Sequence, residues 1–239
     1  MRRTGAAERT VPAAARTTFD SPPGSRRAAT FANGARTYAA NLVERPSASG
    51  DRAWYFDTEA GLREILYRRI GRNETSAIRV CQELAEAQKE YFAARNQEYA
   101  QSLFSAEGKR DGLYWKAAEG EPLSPIGPLV ARAVAHGYSR SLEGGPAPYR
   151  GYFFRILTAQ GRHAPGGARS YLVQGRMTRG FAFVAFPAQY RSSGVMTFIV
   201  GQDGVVRQKD LGKRTRAIAG TLAAYDPDPT WEPAALGGS

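Results

Sequence analysis

The sequence predicts a single α+β domain over residues 51–233, in which a long amphipathic helix and shorter helices pack on an antiparallel meander of about five strands. Three observations predict it. Apolar side chains recur at helical spacing between Leu62 and Phe92, the pattern of a helix with one buried face. From Tyr149 onward the period switches to two, the spacing of strands. Turn chemistry separates the period-two runs, and successive hairpins make an antiparallel sheet with the helices on one face.

Residues 1–50 come before that domain. They are dominated by Ala, Arg, Ser, Thr, Pro and Gly, with Ser21-Pro22-Pro23-Gly24-Ser25 and Pro46-Ser47-Ala48-Ser49-Gly50 as breakers. Such a tract buries too little apolar surface to offset its ordering entropy, so disorder is expected, with at most a weak helix or strand around Ala35 to Val43. Composition changes at Asp51. Trp54-Tyr55-Phe56 reads as a short strand and Asp57 or Thr58 as a helix cap. Leu62, Ile65, Leu66 and Ile70 form the apolar face of a first helix, which Gly71 ends. Asn73 caps a longer helix to about Ala94, with Ile78, Cys81, Leu84, Ala85, Gln88, Tyr91 and Phe92 on one face.

Between Asn96 and Pro128, the anchors Tyr99, Leu103, Phe104, Leu113, Tyr114 and Trp115 stand among glycines and prolines, which predicts a long loop packed down on the core. Pro128 starts a short helix ending near His136 and Gly137. Five strand candidates follow: Tyr149–Leu157, Ser170–Met177, Gly180–Phe186, Val195–Val200 and Val205–Lys209. The last two are joined by Gly201-Gln202-Asp203-Gly204, a hairpin signal because Asp-Gly accepts the positive φ of tight turns. Lys213 to Ala224 reads as a closing helix. Asp226-Pro227-Asp228-Pro229 ends regular structure, and residues 234–239 form a disordered tail.

Charge and composition weigh against several function classes. Of the net charge of +11, residues 1–50 carry +5, from eight arginines against three acids. The remaining basic residues are interleaved with acids, as in Arg72-Asn73-Glu74 and Lys89-Glu90, which describes a solvated surface rather than a nucleic-acid stripe. The longest nearly apolar run, Gly180 to Ala188, is far short of the roughly 18 residues of a membrane span. Met1-Arg2-Arg3 is basic, but Gly5, Glu8, Arg9 and Arg16 interrupt the apolar run an export signal needs, so no signal peptide is read here. Cys81 is the only cysteine and lies in a helical run, where a small buried apolar role is expected. With His136 and His163 as the only histidines, neither a thiolate cluster nor a multi-histidine metal site can be assembled, and no cofactor is expected.

The most site-like feature is the loop Gly161-Arg162-His163-Ala164-Pro165-Gly166-Gly167-Ala168-Arg169. Its glycines free backbone amides and its arginines add charge for an anion, although it joins two strands and lacks the strand-to-helix context of a phosphate loop. Gly212-Lys213-Arg214-Thr215 lacks the earlier glycine of a phosphate-binding motif and is set aside. Binding candidates are therefore Arg155, Arg162, His163 and Arg169, together with Tyr152 and Trp115 from an aromatic set that core packing also explains. Asp226 and Asp228, with Asp203 or Asp210, could offer oxygen ligands to calcium, though two carboxylates separated by proline also make a turn. No serine sits in a nucleophile elbow and no His-Glu metal motif is present, so no catalytic residue is assigned.

Several segments carry a family likeness in order along the chain: Trp54-Tyr55-Phe56-Asp57-Thr58, Arg68-Arg69-Ile70-Gly71-Arg72-Asn73-Glu74, Gly108-Lys109-Arg110-Asp111-Gly112-Leu113-Tyr114-Trp115, Gly151-Tyr152-Phe153-Phe154-Arg155-Ile156-Leu157, Gly194-Val195-Met196-Thr197-Phe198-Ile199-Val200 and Asp226-Pro227-Asp228-Pro229. With these the chain resembles the bacterial domain-of-unknown-function family 2950 over about residues 54–233. The resemblance implies an exported protein of the Gram-negative envelope, hence periplasmic, and implies no activity or site residue. Members of the family normally begin with a signal peptide and a further folded region. The Arg/Ala/Pro tract stands in that place here, so a truncated N-terminus, from a misplaced start or a shifted frame, is expected. Lys116, Arg162, Gln174, Arg179, Arg191 and Arg207 depart from the usual family residues.

The layout of a long helix ending in Ala87-Gln88-Lys89-Glu90-Tyr91-Phe92, a loop, a short helix, Gly151-Tyr152-Phe153-Phe154 and a meander is also similar to the globular part of type II secretion pseudopilins. That likeness implies a pilin-like fold without pilus assembly, and by analogy a calcium site in the tail at Asp226 and Asp228. The functional expectation is a non-enzymatic envelope-associated protein, a pilin-like module that binds an envelope protein or polymer through the sheet face or the loop around Gly161 to Arg169. The alternatives are a hydrolase and a nucleic-acid-binding protein using scattered basic surface.

Overall fold

The computed structural model of the chain describes residues 26–33, 36–46, 51–130 and 148–235. The chain divides into two compact units, residues 1–64 and 65–239. In the first, β1 (Arg26–Asn33), β2 (Arg36–Pro46) and β3 (Arg52–Phe56) form an antiparallel sheet in that order. Phe31 faces Tyr38, and Val43 faces Tyr55. Both early strands fall in the tract whose composition suggests disorder. β2 covers the stretch around 35–43 where weak structure is expected, and its Thr37, Tyr38 and Val43 are good strand formers.

A single helix, α1 (Thr58–Ala94), stands where the sequence predicts two. Asp57 starts it as expected, its Oδ1 accepting from the Ala60 amide at 2.9 Å. Gly71 does not end it. A Cβ at Gly71 would meet nothing within 4 Å, so the glycine costs only its poor propensity, about 1 kcal/mol. Asn73 does not act as a cap either. Its Nδ2 donates to the Ser193 carbonyl at 2.9 Å, while Glu74 Oε1 accepts from the Val195 and Met196 amides at 2.8 and 3.1 Å. These bonds fasten the helix to the turn before a core strand and offset the glycine. Burial begins at Ile70 and runs through Ile78, Cys81, Leu84, Ala85, Gln88 and Tyr91. Leu62 and Ile65, from the expected first face, stay 64% and 65% exposed.

The following loop is packed down through side chains. Gln88 is fully buried and pairs with the Ala100 backbone in both directions, at 2.8 and 2.9 Å. Tyr99 stacks on Phe92 at 4.4 Å and meets Phe181 at 5.1 Å between ring centroids. Two short strands, β4 (Ser102–Phe104) and β5 (Gly112–Tyr114), pair in parallel. The helix expected from Pro128 to His136 is seen over 127–130, and the rest of it, His136 included, lies outside the described residues.

The C-terminal half supplies β6 (Tyr152–Leu157), β7 (Ala159–Gln160), β8 (Arg169–Ser170), β9 (Leu172–Val173), β10 (Arg176–Met177), β11 (Ala182–Pro187), β12 (Met196–Val200) and β13 (Val206–Asp210). A 3-10 turn (Gly212–Arg214), α2 (Thr215–Thr221), β14 (Ala224–Tyr225) and β15 (Glu232–Pro233) complete it. The main sheet has the order β15-β13-β12-β11-β6, all antiparallel. Its fifth strand is therefore β15, beyond the point where the Asp-Pro repeat was expected to end regular structure. The predicted strand Ser170–Met177 is instead an excursion, in which β8 pairs with β7 and β9 turns back on β10 through Gln174 and Gly175, both at positive φ.

Opposed residues share a sheet face, so Tyr152, Phe154, Ile156, Phe183 and Phe198 lie on one side, and Phe153, Arg155, Val184 and Ile199 on the other. α1 covers the first side through Phe92, Tyr99 and Phe181. α2 covers the second, where Arg155 reaches the Ala219 carbonyl at 2.9 Å and Arg216 lies 5.3 Å over the Phe153 ring. Helices thus flank both faces, not one. Every residue of β11 is buried as a result, while β6 and β13 are partly buried and β15 is exposed.

Candidate binding loop and tail

The Gly161–Ala168 loop is built from the pairing of three short strands. β7 and β8 are antiparallel neighbours, and β14 runs parallel to β7 with Tyr225 beside Gln160. That register sets Asp226 against the first loop residue, where the Gly161 amide donates to the Tyr225 carbonyl at 2.8 Å. A Cβ on Gly161 would fall 2.3 Å from Asp226 Cγ. Only glycine fits there. Asp226 Oδ1 accepts from the His163 amide at 2.8 Å and lies 3.0 Å from His163 Nδ1.

Arg162 Nε donates to His163 Nε2 at 3.2 Å. An acceptor at Nε2 requires the neutral ring to carry its proton on Nδ1, which then donates to Asp226. The far side of the loop is held by Gln160, 5% exposed, whose Nε2 donates to the carbonyls of Pro165 and Gly167, each at 2.7 Å. Ala164 is buried beneath. Gly166 and Gly167 take φ of +83° and +73°, and the Arg169 guanidinium curls over Gly166. Two arginines are thereby presented on a loop whose backbone is tied at both ends.

The tail continues the same surface. Asp228 accepts from the Thr230 amide at 2.8 Å and from its hydroxyl. Lys209 Nζ donates to that hydroxyl at 2.6 Å and lies 5.7 Å over the Trp231 ring. The Thr230 hydroxyl and amide, with Lys209 and His163 nearby, hold the Asp228 carboxyl below its usual range. Asp203 is engaged by Arg207 at 3.0 Å, and Asp210 by the Gly212 amide at 2.7 Å. Among the described residues, no three His, Cys, Asp or Glu side chains are placed to hold a metal ion. Asp226 and Asp228 are each engaged by neighbouring groups of the loop and tail.

Arg162, His163, Arg169, Asp226 and Asp228 are thus gathered in one region, although the sequence offers them as two unrelated features. The other candidates lie elsewhere. Tyr152 is fully buried and its hydroxyl donates to the Met196 carbonyl at 2.9 Å. Gly194 makes room for it, since a Cβ there would stand 2.1 Å from the Tyr152 hydroxyl. Arg155 donates to the carbonyls of Ala219 and Leu222 that end α2, and burial lowers its pKa. Trp115 is partly buried, with Nε1 donating to the Pro122 carbonyl at 3.3 Å. Sequence reasoning missed Gln160, the residue that shapes the loop. Its only signal is a polar residue next to the glycine that opens the loop.

The segments Arg68 to Glu74, Gly151 to Leu157 and Gly194 to Val200 meet at one corner, where Asn73, Glu74, Tyr152 and Gly194 lock together. A family model described as a protein of unknown function, DUF2950, matches residues 23–234. The chain belongs to the DUF2950 family. The match begins ahead of residue 51, so it takes in β1 and β2 as well as the residues that carry the likeness. No curated protein and no solved structure matches this DUF2950 chain. The likeness to pseudopilins therefore rests on the order of elements alone. No described helix is long and apolar enough to cross a membrane.

Proposed function

We propose that the protein is a non-enzymatic binding module of the bacterial envelope, acting in the periplasm and engaging an acidic polymer or partner through the Gly161–Arg169 loop. The observation that carries the reading is the fastening of that loop by Gln160 on one side and Asp226 on the other, which fixes the backbone from which Arg162 and Arg169 project before any partner arrives. Preorganised donors bind anions without the ordering cost that a slack loop incurs. Charge-assisted bonds from arginine are the strong class of contact for phosphate and carboxylate groups.

A calorimetric titration with polyphosphate and with polygalacturonate tests it. Saturable binding to at least one polymer is expected, weakened about tenfold or more in the R162A/R169A double variant, since a hydrogen bond to a charged group contributes about 1.5–3 kcal/mol. Equal affinity of wild type and variant, or no binding by either, would count against it.

A second reading, a hydrolase, is favoured by the His163–Asp226 pair, because a carboxylate on Nδ1 is how a general-base histidine is oriented. It is the weaker reading. The nitrogen that would take the substrate proton, Nε2, accepts from Arg162 rather than facing a hydroxyl.

A further inference from the structure

A cavity of about 300 Å³ opens beside Trp115, lined by Tyr114, Trp115, Lys116, Leu123, Ser124 and Gly127 among others. Its aromatic wall is fixed from behind. Trp115 is bonded to the Pro122 carbonyl, and the guanidinium groups of Arg95 and Arg110 lie 5.9 and 5.7 Å from its ring. Those arginines are themselves placed, Arg95 by the Arg110 carbonyl at 2.9 Å and Arg110 by Glu121 at 2.7 Å. A ring held this way presents flat apolar area at little entropic cost.

The second observation concerns Ser124. It is 3% exposed and its Oγ finds no hydrogen-bond partner among the described residues. A buried hydroxyl left without a bond is costly, and native structures seldom keep one without a reason. A Cβ placed on Gly127 would lie 3.2 Å from that Oγ, with no other heavy atom of the described residues outside the adjoining chain within 4 Å. That is closer than side chains normally come, so the hydroxyl stays uncrowded only because residue 127 has no side chain. Lys116, exposed on the same rim, adds a second donor.

We propose that this cavity is a saccharide subsite, in which a sugar ring lies against the Tyr114 and Trp115 wall and its oxygens bond the Ser124 hydroxyl and the Lys116 ammonium. A sugar has the two surfaces required: a C–H face for the aromatic side chains and hydroxyl groups on its edge for the donors. The site is separate from the Arg162 and Arg169 loop.

Titration of the full chain with the neutral trimers chitotriose, maltotriose and cellotriose, followed by ligand-observed NMR, tests the assignment. At least one trimer binds saturably. Ser124→Ala, which removes a hydroxyl that makes no bond in the unliganded protein, does not lower the melting temperature and weakens that binding about tenfold. Gly127→Ala crowds the hydroxyl and weakens it similarly, whereas R162A/R169A leaves sugar affinity intact. Failure of all three trimers to bind, or binding that both cavity substitutions leave unchanged, would overturn the proposal. Loss in R162A/R169A equal to that in the cavity variants would place the sugar at the loop and overturn it as well.

Discussion

Asp226 joins two parts of the chain that are 63 residues apart through one carboxylate oxygen, which accepts from both the amide and the ring of His163. Gln160 does the corresponding work inside the loop. Replacing Gln160 with alanine leaves the Pro165 and Gly167 carbonyls without their donor and is expected to cost about 1–3 kcal/mol in urea unfolding, with m unchanged. A cost near zero would mean that the loop shape does not depend on that carboxamide. The glycines of this region are legible in the sequence as a loop with free amides. The partnership with Asp226 is not, because it follows from the parallel register of β14 on β7, and two-residue strands leave no periodic signal. Tyr152 and Arg155 were misplaced for a related reason. Alternation says that they point to opposite faces but not that a helix covers each one.

At the scale of elements, α1 shows how tertiary bonds override a local breaker. Glycine followed by asparagine reads as a stop and a new cap, yet the side chains of Asn73 and Glu74 are engaged by the 193–196 backbone instead. Gly71→Ala separates the two views. In a continuous helix with open space at that position, alanine stabilises by about 0.5–1 kcal/mol. At a helix stop it would destabilise. Glu74→Ala removes the acceptor of two amides and is expected to cost about 1–3 kcal/mol, measured by the same denaturation. The meander was the legible part: β11, β12 and β13 stand where period-two runs and Asp203-Gly204 place them, with Val200 facing Val206 across the hairpin. β15 was not, since Glu232 and Pro233 have neither the length nor the composition of a strand.

Among the described residues, Tyr152, Tyr171 and Tyr225 are almost wholly buried. Burial pushes Tyr171 and Tyr225 each up to about 12, while Tyr152 is displaced further in the same direction. In the unfolded chain these phenols ionise near 10. Between pH 10 and 12 the unfolded state therefore holds fewer protons than the folded one, so stability falls as pH rises through that window. The loss reaches up to about 3 kcal/mol for each of Tyr171 and Tyr225. Tyr225→Phe should flatten the alkaline limb of a stability-against-pH curve, and an unchanged limb would contradict the burial argument. Asp228 acts at the acid end. Its carboxyl is held low, so its contribution is present above the ordinary carboxylate range and fades as pH falls below it. The contribution is small because the group is exposed.

In the proposed function a preset loop, not the sheet face, meets an acidic partner. Backbone amide shifts recorded during titration of isotopically labelled protein with polyphosphate test it at single-residue resolution. The amides of 161–169 and 226–230 are expected to move together and saturate, with those of β11 and β12 still. Saturable shifts confined to other surfaces, with the loop unmoved, would contradict it.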